Sequence, residues 1–283
     1  KLTTCVYLFS LAAIGGATGA QDTKSVGGND YLPFGIYEQT APRAAVVEEI
    51  STELPLQLNK GDRIALIGNT LLERSQEFGQ FEAMLHQTFP EHQLVVRHLA
   101  WSADAVDQQP RPANFADTEQ HLAHEKIDVI FAAFGFNESF AGEEGLEDFR
   151  RKITDYVASL KTKSFNGKSA PRVVLIAPIA NENIANIPAA DMNNERIKLY
   201  SAVMKNAAAE QHVGFADTFE ETDAAMISPG SDLTINGIHL NRDGDRLFSS
   251  FLFRKVFGTE PPVPSEPLMS AIIDKNQQFF RRF

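Results

Sequence analysis

The stretch "IALIGNTLLERSQ", residues 64–76, reads as a buried strand that turns at Gly68 and runs on as a helix from Leu71. The turn carries a short polar pair, Asn69 and Thr70. Outward from it the same alternation recurs. "RIALIG" (63–68), "QLVVRHL" (93–99), "IDVIFAAF" (127–134) and "RVVLIAP" (172–178) read as strands, with "VGFAD" (213–217) a fainter fifth. Helical patterns lie at 71–89, 117–125, 144–163 and 191–211, and a last one at 243–257. In one of them Leu146, Phe149, Ile153, Tyr156, Val157 and Leu160 share a face. Apolar strands alternating with such helices predict parallel β-α-β units. The fold class is therefore α/β, a three-layer α/β/α sandwich around a parallel five-stranded sheet, with its ligand site beyond the carboxyl ends of the strands.

Residues 58–258 form this domain. Residues 21–57 mix Gly, Pro and charge without a period and are expected to be a linker or arm. The first twenty, "KLTTCVYLFSLAAIGGATGA", have a positive start, an apolar run and small residues up to Ala20, the layout of a signal peptide. Export to a periplasmic or extracellular location is the expectation. The single cysteine, Cys5, falls inside that segment, so the exported chain would have no disulfide, catalytic thiolate or Cys-based zinc site. No stretch is long enough to promise stable membrane insertion. A net charge of -11 argues against nucleic acid or an anionic membrane as partner. At 259–283 a proline-rich connection leads into an apolar-periodic helix with Phe279, Phe280 and Phe283. These aromatics either close the chain or pack on further domains of a longer one.

The loops after the strands are where chemistry is sought. Thr70 offers a hydroxyl at a helix start, where N–H groups favour negative charge. As a mere cap, Asn69 or Thr70 would be worth about 1 kcal/mol. "HLAWSADAV" brings Trp101, Ser102, Ala103 and Asp104 beside the first loop, unless it is only a capped turn. "FGFNESF" has Gly135, which lets backbone approach a ligand, and Asn137, an N–H donor suited to an oxyanion hole. Read structurally, Asn137 and Glu138 merely end a strand. "DLTINGIHLNRDGDRLF" sets His239 between apolar Ile238 and Leu240, which would fix its ring. His86, His92, His121 and His124 fall on polar faces and are expected to be solvated.

In the order of these loops and the spacing of their glycines, residues 60 to 257 resemble the SGNH hydrolases, or GDSL esterases and lipases, with their flavodoxin-like fold. "GNTLLER", "GFNESFAG" and "LTINGIHL" look like the divergent branch found in large multidomain exported proteins of planctomycete-type bacteria. Gly68, Gly135, Asn137 and His239 match the family motifs. Asn69 and Thr70 stand where Asp and Ser are expected, Ala103 where the second-motif Gly belongs, Glu138 in place of Asp, and Asn236 in place of the Asp three residues before the histidine.

The resemblance implies hydrolysis of an ester, such as an O-acyl group on a carbohydrate, without metal or organic cofactor. Thr70 would attack the carbonyl, and His239 would serve as base and then acid, oriented by Asn236 or Asp232. The N–H groups of Thr70 and Ala103 and the Asn137 amide would hold the oxyanion. Threonine can be a nucleophile, but its β-branch fixes the rotamer, and Asn236 supplies orientation without a carboxylate's charge. The altered positions keep a second reading open: a non-catalytic relative whose cleft binds a glycan or docks a partner domain. A nucleotide-binding reading is poor, because "GNTLLER" lacks a glycine-rich phosphate loop.

Overall fold

The computed structural model describes residues 43–112, 115–184, 190–228 and 230–281, so the expected signal peptide, the arm up to residue 42 and Phe283 lie outside the described residues. In chain order the elements are β1 (Ala45–Val46), β2 (Arg63–Gly68), α1 (Thr70–Ser75), α2 (Gln80–Thr88), β3 (Val95–His98), α3 (Thr118–His124) and β4 (Val129–Ala133). There follow α4 (Leu146–Lys161), β5 (Lys163–Ser164), β6 (Arg172–Ile176), α5 (Ala190–Glu210), β7 (Gly214–Ala216), α6 (Phe219–Met226), α7 (Arg242–Phe257) and α8 (Glu266–Phe280).

Five strands pair parallel in the order β3-β2-β4-β6-β7. Side chains alternate across the sheet. Ile64 and Leu66 of β2 enter one core with Leu72, Phe81, Met84, Phe219 and Phe248 from α1, α2, α6 and α7. Ala65 and Ile67 enter the other with Leu122, Ile153, Val157 and Met204 from α3, α4 and α5. Both faces are covered, which explains why the strands read as continuous apolar runs. The expected α/β/α sandwich and all five strands are present.

Two elements differ from expectation. The helix predicted over 71–89 is broken at Gly79, whose φ of +68° is left-handed and where an added Cβ would come within 3.0 Å of Ile272 on α8. Helix α6 was not foreseen, because "FEETDAAM" is short and its inward face includes a polar residue, Thr222. That hydroxyl donates to Thr218 O and accepts the Ala180 N–H.

The described end of the arm lies against the domain. β1 pairs antiparallel with β5, the Thr52 N–H donates to His212 O, and Leu56 and Leu58 join the core. At the other end α8 packs Met269 and Ile272 against Ala83 of α2. Its Lys275 Nζ reaches the buried Glu82 carboxylate at 2.7 and 2.9 Å and the β3 carbonyl of Val96 at 3.1 Å. Phe279 lies under the Arg97 guanidinium. His86 is 3.4 Å from Glu82, rather than simply solvated.

Candidate active site

The sheet order reverses between β2 and β4, the place where loops diverge and leave a crevice. Gly68 and Ala133 are register partners at the ends of those strands. An added Cβ on Gly68, whose φ is +115°, would sit 2.0 Å from Ala133 O, so only glycine lets the strand tips come this close. The Asn69 N–H donates to Ala133 O at 3.1 Å and the Trp101 N–H to Gly68 O at 2.9 Å, tying three loops together.

On the first loop Asn69 is 5% exposed and is a cap: its Oδ1 accepts the Leu71 N–H at 3.1 Å. Thr70 opens α1, and its Oγ1 accepts the Ala103 N–H at 3.1 Å. Ala103 holds φ at +64°, the conformation that glycine takes most easily. Asp104 anchors this second loop through two bonds to Arg111, at 2.8 and 2.9 Å, and the guanidinium in turn lies over Trp101. Ser102 Oγ donates to Glu73.

On the third loop the Asn137 amide donates to Asp104 O at 2.9 Å, which fixes its side chain and leaves a second N–H. Glu138 latches two loops, accepting the Val106 N–H at 2.8 Å and the Gly135 N–H at 2.9 Å. Burial pushes its carboxyl above the usual range against these bonds. Gly135 is buried, and an added Cβ would meet Met204 Sδ at 3.0 Å and Pro178 Cγ at 3.2 Å. Its φ of +92° is a conformation glycine takes at no steric cost, and the close side chains of Met204 and Pro178 add to the requirement.

His239 sits on a tight antiparallel turn bridged at Thr234 and Leu240, with the Ile235 N–H donating to His239 O. Glu182 pins this turn, accepting from Ser231 Oγ, the N–H groups of Leu233 and Thr234, and Thr234 Oγ1. Burial opposes its charge, but those hydrogen bonds prevail and hold the carboxyl below its usual range. Asn236 Nδ2 lies 3.0 Å from His239 Nδ1, while Asn236 Oδ1 accepts the N–H groups of Ile238 and His239.

Asp232 does not orient the histidine. It lies further along the turn, where its carbonyl accepts from Asn241 Nδ2, and among the described residues no hydrogen bond joins it to His239. That bond sets its backbone beside Asn241, the residue that caps α7.

Thr70, Asn137 and His239 line one cavity of about 50 Å³, together with Leu71, Phe134 and Ile179. Asn69 also lines it, whereas Ala103 and Glu138 line a neighbouring groove that shares Asn137. Among the described residues no hydrogen bond joins Thr70 to His239. Arg74 and Asp245, not anticipated from sequence, complete the wall. Burial and then the Arg74 charge lower the His239 pKa, and burial pushes the Asp245 carboxyl well above its ordinary value. Their only sequence signal is helical: Arg74 is one turn beyond Thr70, and Asp245 is in the first turns of α7. Among the described residues no group of three or more His, Cys, Asp or Glu side chains is placed to hold a metal ion, and no helix is long and apolar enough to cross a membrane.

The model of the GDSL-like Lipase/Acylhydrolase family matches residues 61–247. Among solved structures, an acetylxylan esterase catalytic mutant from Geobacillus stearothermophilus is 17% identical with a TM-score of 0.56, over 72% of this chain and 98% of that one. A protein described as a GDSL-like lipase from Parabacteroides merdae is 17% identical with a TM-score of 0.58, over 71% and 98%. An alpha/beta hydrolase enzyme from the metagenome of Lake Arreo, Spain, is 17% identical with a TM-score of 0.53, over 71% and 97%. At these identities the likeness is one of fold. No curated protein matches the chain.

Proposed function

The chain belongs to the GDSL-like lipase/acylhydrolase family, and we propose that it hydrolyses esters of short acyl groups at the cavity between Thr70, Asn137 and His239. The observation that carries this reading is that cavity itself: three residues from distant parts of the chain line it together. In the proposed reaction the Thr70 hydroxyl passes its proton to His239 Nε2 while its oxygen forms the new bond to the acyl carbon. The N–H groups of Thr70 and Ala103 and the free N–H of Asn137 hold the oxyanion. The alcohol leaves with the proton from the imidazolium, and a water activated by His239 then releases the acid and restores Thr70.

The apolar lining of the cavity by Leu71, Phe134 and Ile179 suits a short acyl group. An O-acetyl group on a carbohydrate is the substrate class proposed, supported by the fold shared with an acetylxylan esterase. The apolar segment near residue 1 supports export to the periplasm or beyond. Asn236 at the acid position favours a second reading, in which the cleft binds an acylated glycan or a partner domain without cleaving it.

Turnover of a short-chain aryl acetate tests the two. Hydrolysis that falls to background in both Thr70→Ala and His239→Ala supports the esterase, with Asn137→Ala costing about 10²–10³-fold. Equal background in all four proteins supports binding alone.

A further inference from the structure

We propose that Asn236 locks His239 with its proton on Nε2, so that the site rests as a hydrogen-bond donor that holds an ester and attacks it only through a minority form of the histidine. This deepens the esterase reading and rests on it for its kinetic consequence.

The argument starts from the amide. Asn236 Oδ1 accepts two backbone N–H groups, from Ile238 at 3.3 Å and His239 at 3.0 Å. Turning the amide over would set its NH₂ group against both donors and lose both bonds. Its orientation is therefore fixed, and the group 3.0 Å from His239 Nδ1 is an N–H donor. A neutral imidazole has a lone pair on one nitrogen only, so Nδ1 must supply it and Nε2 must carry the hydrogen. The doubly protonated ring is no escape: it would put N–H against N–H at Asn236, and it would face the Arg74 charge in a half-buried position. Asp245, the other titratable group on the cavity wall, is fully buried and held towards its neutral form. No carboxylate among the described residues takes the place opposite Nδ1.

An aspartate at 236 would do the reverse. It would accept Nδ1–H and leave the Nε2 lone pair free to take the Thr70 proton. Asn236 is thus a positioning residue that acts through His239. In serine-protease triads the corresponding Asp to Asn change lowers turnover by about 10⁴ through the same wrong tautomer.

The test uses the full chain, its Asn236→Asp variant and the Asn236→Asp/Thr70→Ala double variant. Imidazole ¹⁵N NMR is read beside turnover of an aryl acetate. The expected result is an Nε2–H signature in the natural chain, an Nδ1–H signature in Asn236→Asp, and a gain in kcat of roughly 10²–10⁴-fold that the double variant loses. An Nδ1–H signature in the natural chain overturns the proposal, whether or not the variant folds. So does an Asn236→Asp protein of unchanged melting temperature that shows the new tautomer but no gain over a measurable natural rate. If the tautomers change as stated and neither protein hydrolyses the ester, the lock stands and the esterase reading falls.

Discussion

Ala103 donates its N–H to the Thr70 hydroxyl oxygen at 3.1 Å while holding φ at +64°. A donor proposed for the oxyanion and the proposed nucleophile are therefore coupled through a backbone angle that alanine adopts at a cost of about 1–2 kcal/mol. Ala103→Gly removes that strain but loosens the unfolded chain, which returns about 0.4–1 kcal/mol. The net expectation is a gain of up to about 1.6 kcal/mol in urea denaturation, with ester turnover equal or higher. A loss of stability would show that the methyl packs favourably and that the angle is unstrained.

Glu182 joins the loop after β6 to the turn that carries His239. Its folded pKa is below its usual 4.5, so its stabilising effect is complete above pH 4.5 and is lost as pH falls through the lower folded value. Glu182→Gln cannot accept all the bonds now made by the carboxylate. It should cost about 2–3 kcal/mol at neutral pH and flatten the acid side of the stability profile. Chemical denaturation at several pH values reads both effects.

Arg74 works on the histidine from the opposite wall. Burial and the guanidinium together hold the His239 pKa below its usual 6.5, so the acid limb of kcat/KM should fall below that pH. Arg74→Gln removes a positive charge, which makes the imidazolium easier to form. The limb should then move to higher pH. A shift the other way, or none, would mean that the limb reports another group.

Lys275 is the partner of a carboxylate that is only 3% exposed. Lys275→Met leaves the Glu82 carboxylate with only His86 and His98 beside it, and because the lysine is itself partly exposed the loss should be about 1–3 kcal/mol. Adding Glu82→Gln should recover a good part of it. Equilibrium unfolding of the single and double variants measures the coupling, and simple additivity would argue against a direct pair.

How far the sequence discloses this protein depends on how local the cause is. The central strands are legible because both sheet faces are covered, which leaves unbroken apolar runs at 64–68 and 129–134. Thr70 and Asn137 are legible because each follows such a strand, and His239 because apolar Ile238 and Leu240 flank it. What was illegible has distant causes. At the Gly79 break, where φ is left-handed, any side chain would also crowd Ile272, almost two hundred residues away. Glu182 looks like a solvent-facing loop acid until the turn some fifty positions later supplies four donors. The role of Asp232 was misplaced for the same reason. Its carbonyl accepts from Asn241 Nδ2, and among the described residues no hydrogen bond joins it to His239.

The ammonium of Lys275 takes the carbonyl of Val96 on β3, the outermost strand on that side of the sheet. Such margins ordinarily invite a strand from another molecule. With α8 seated there, a neighbour would first have to displace a helix and expose a buried acid. Self-association by sheet extension is thereby discouraged on that flank, leaving copies of this chain to meet, if they meet at all, through side chains.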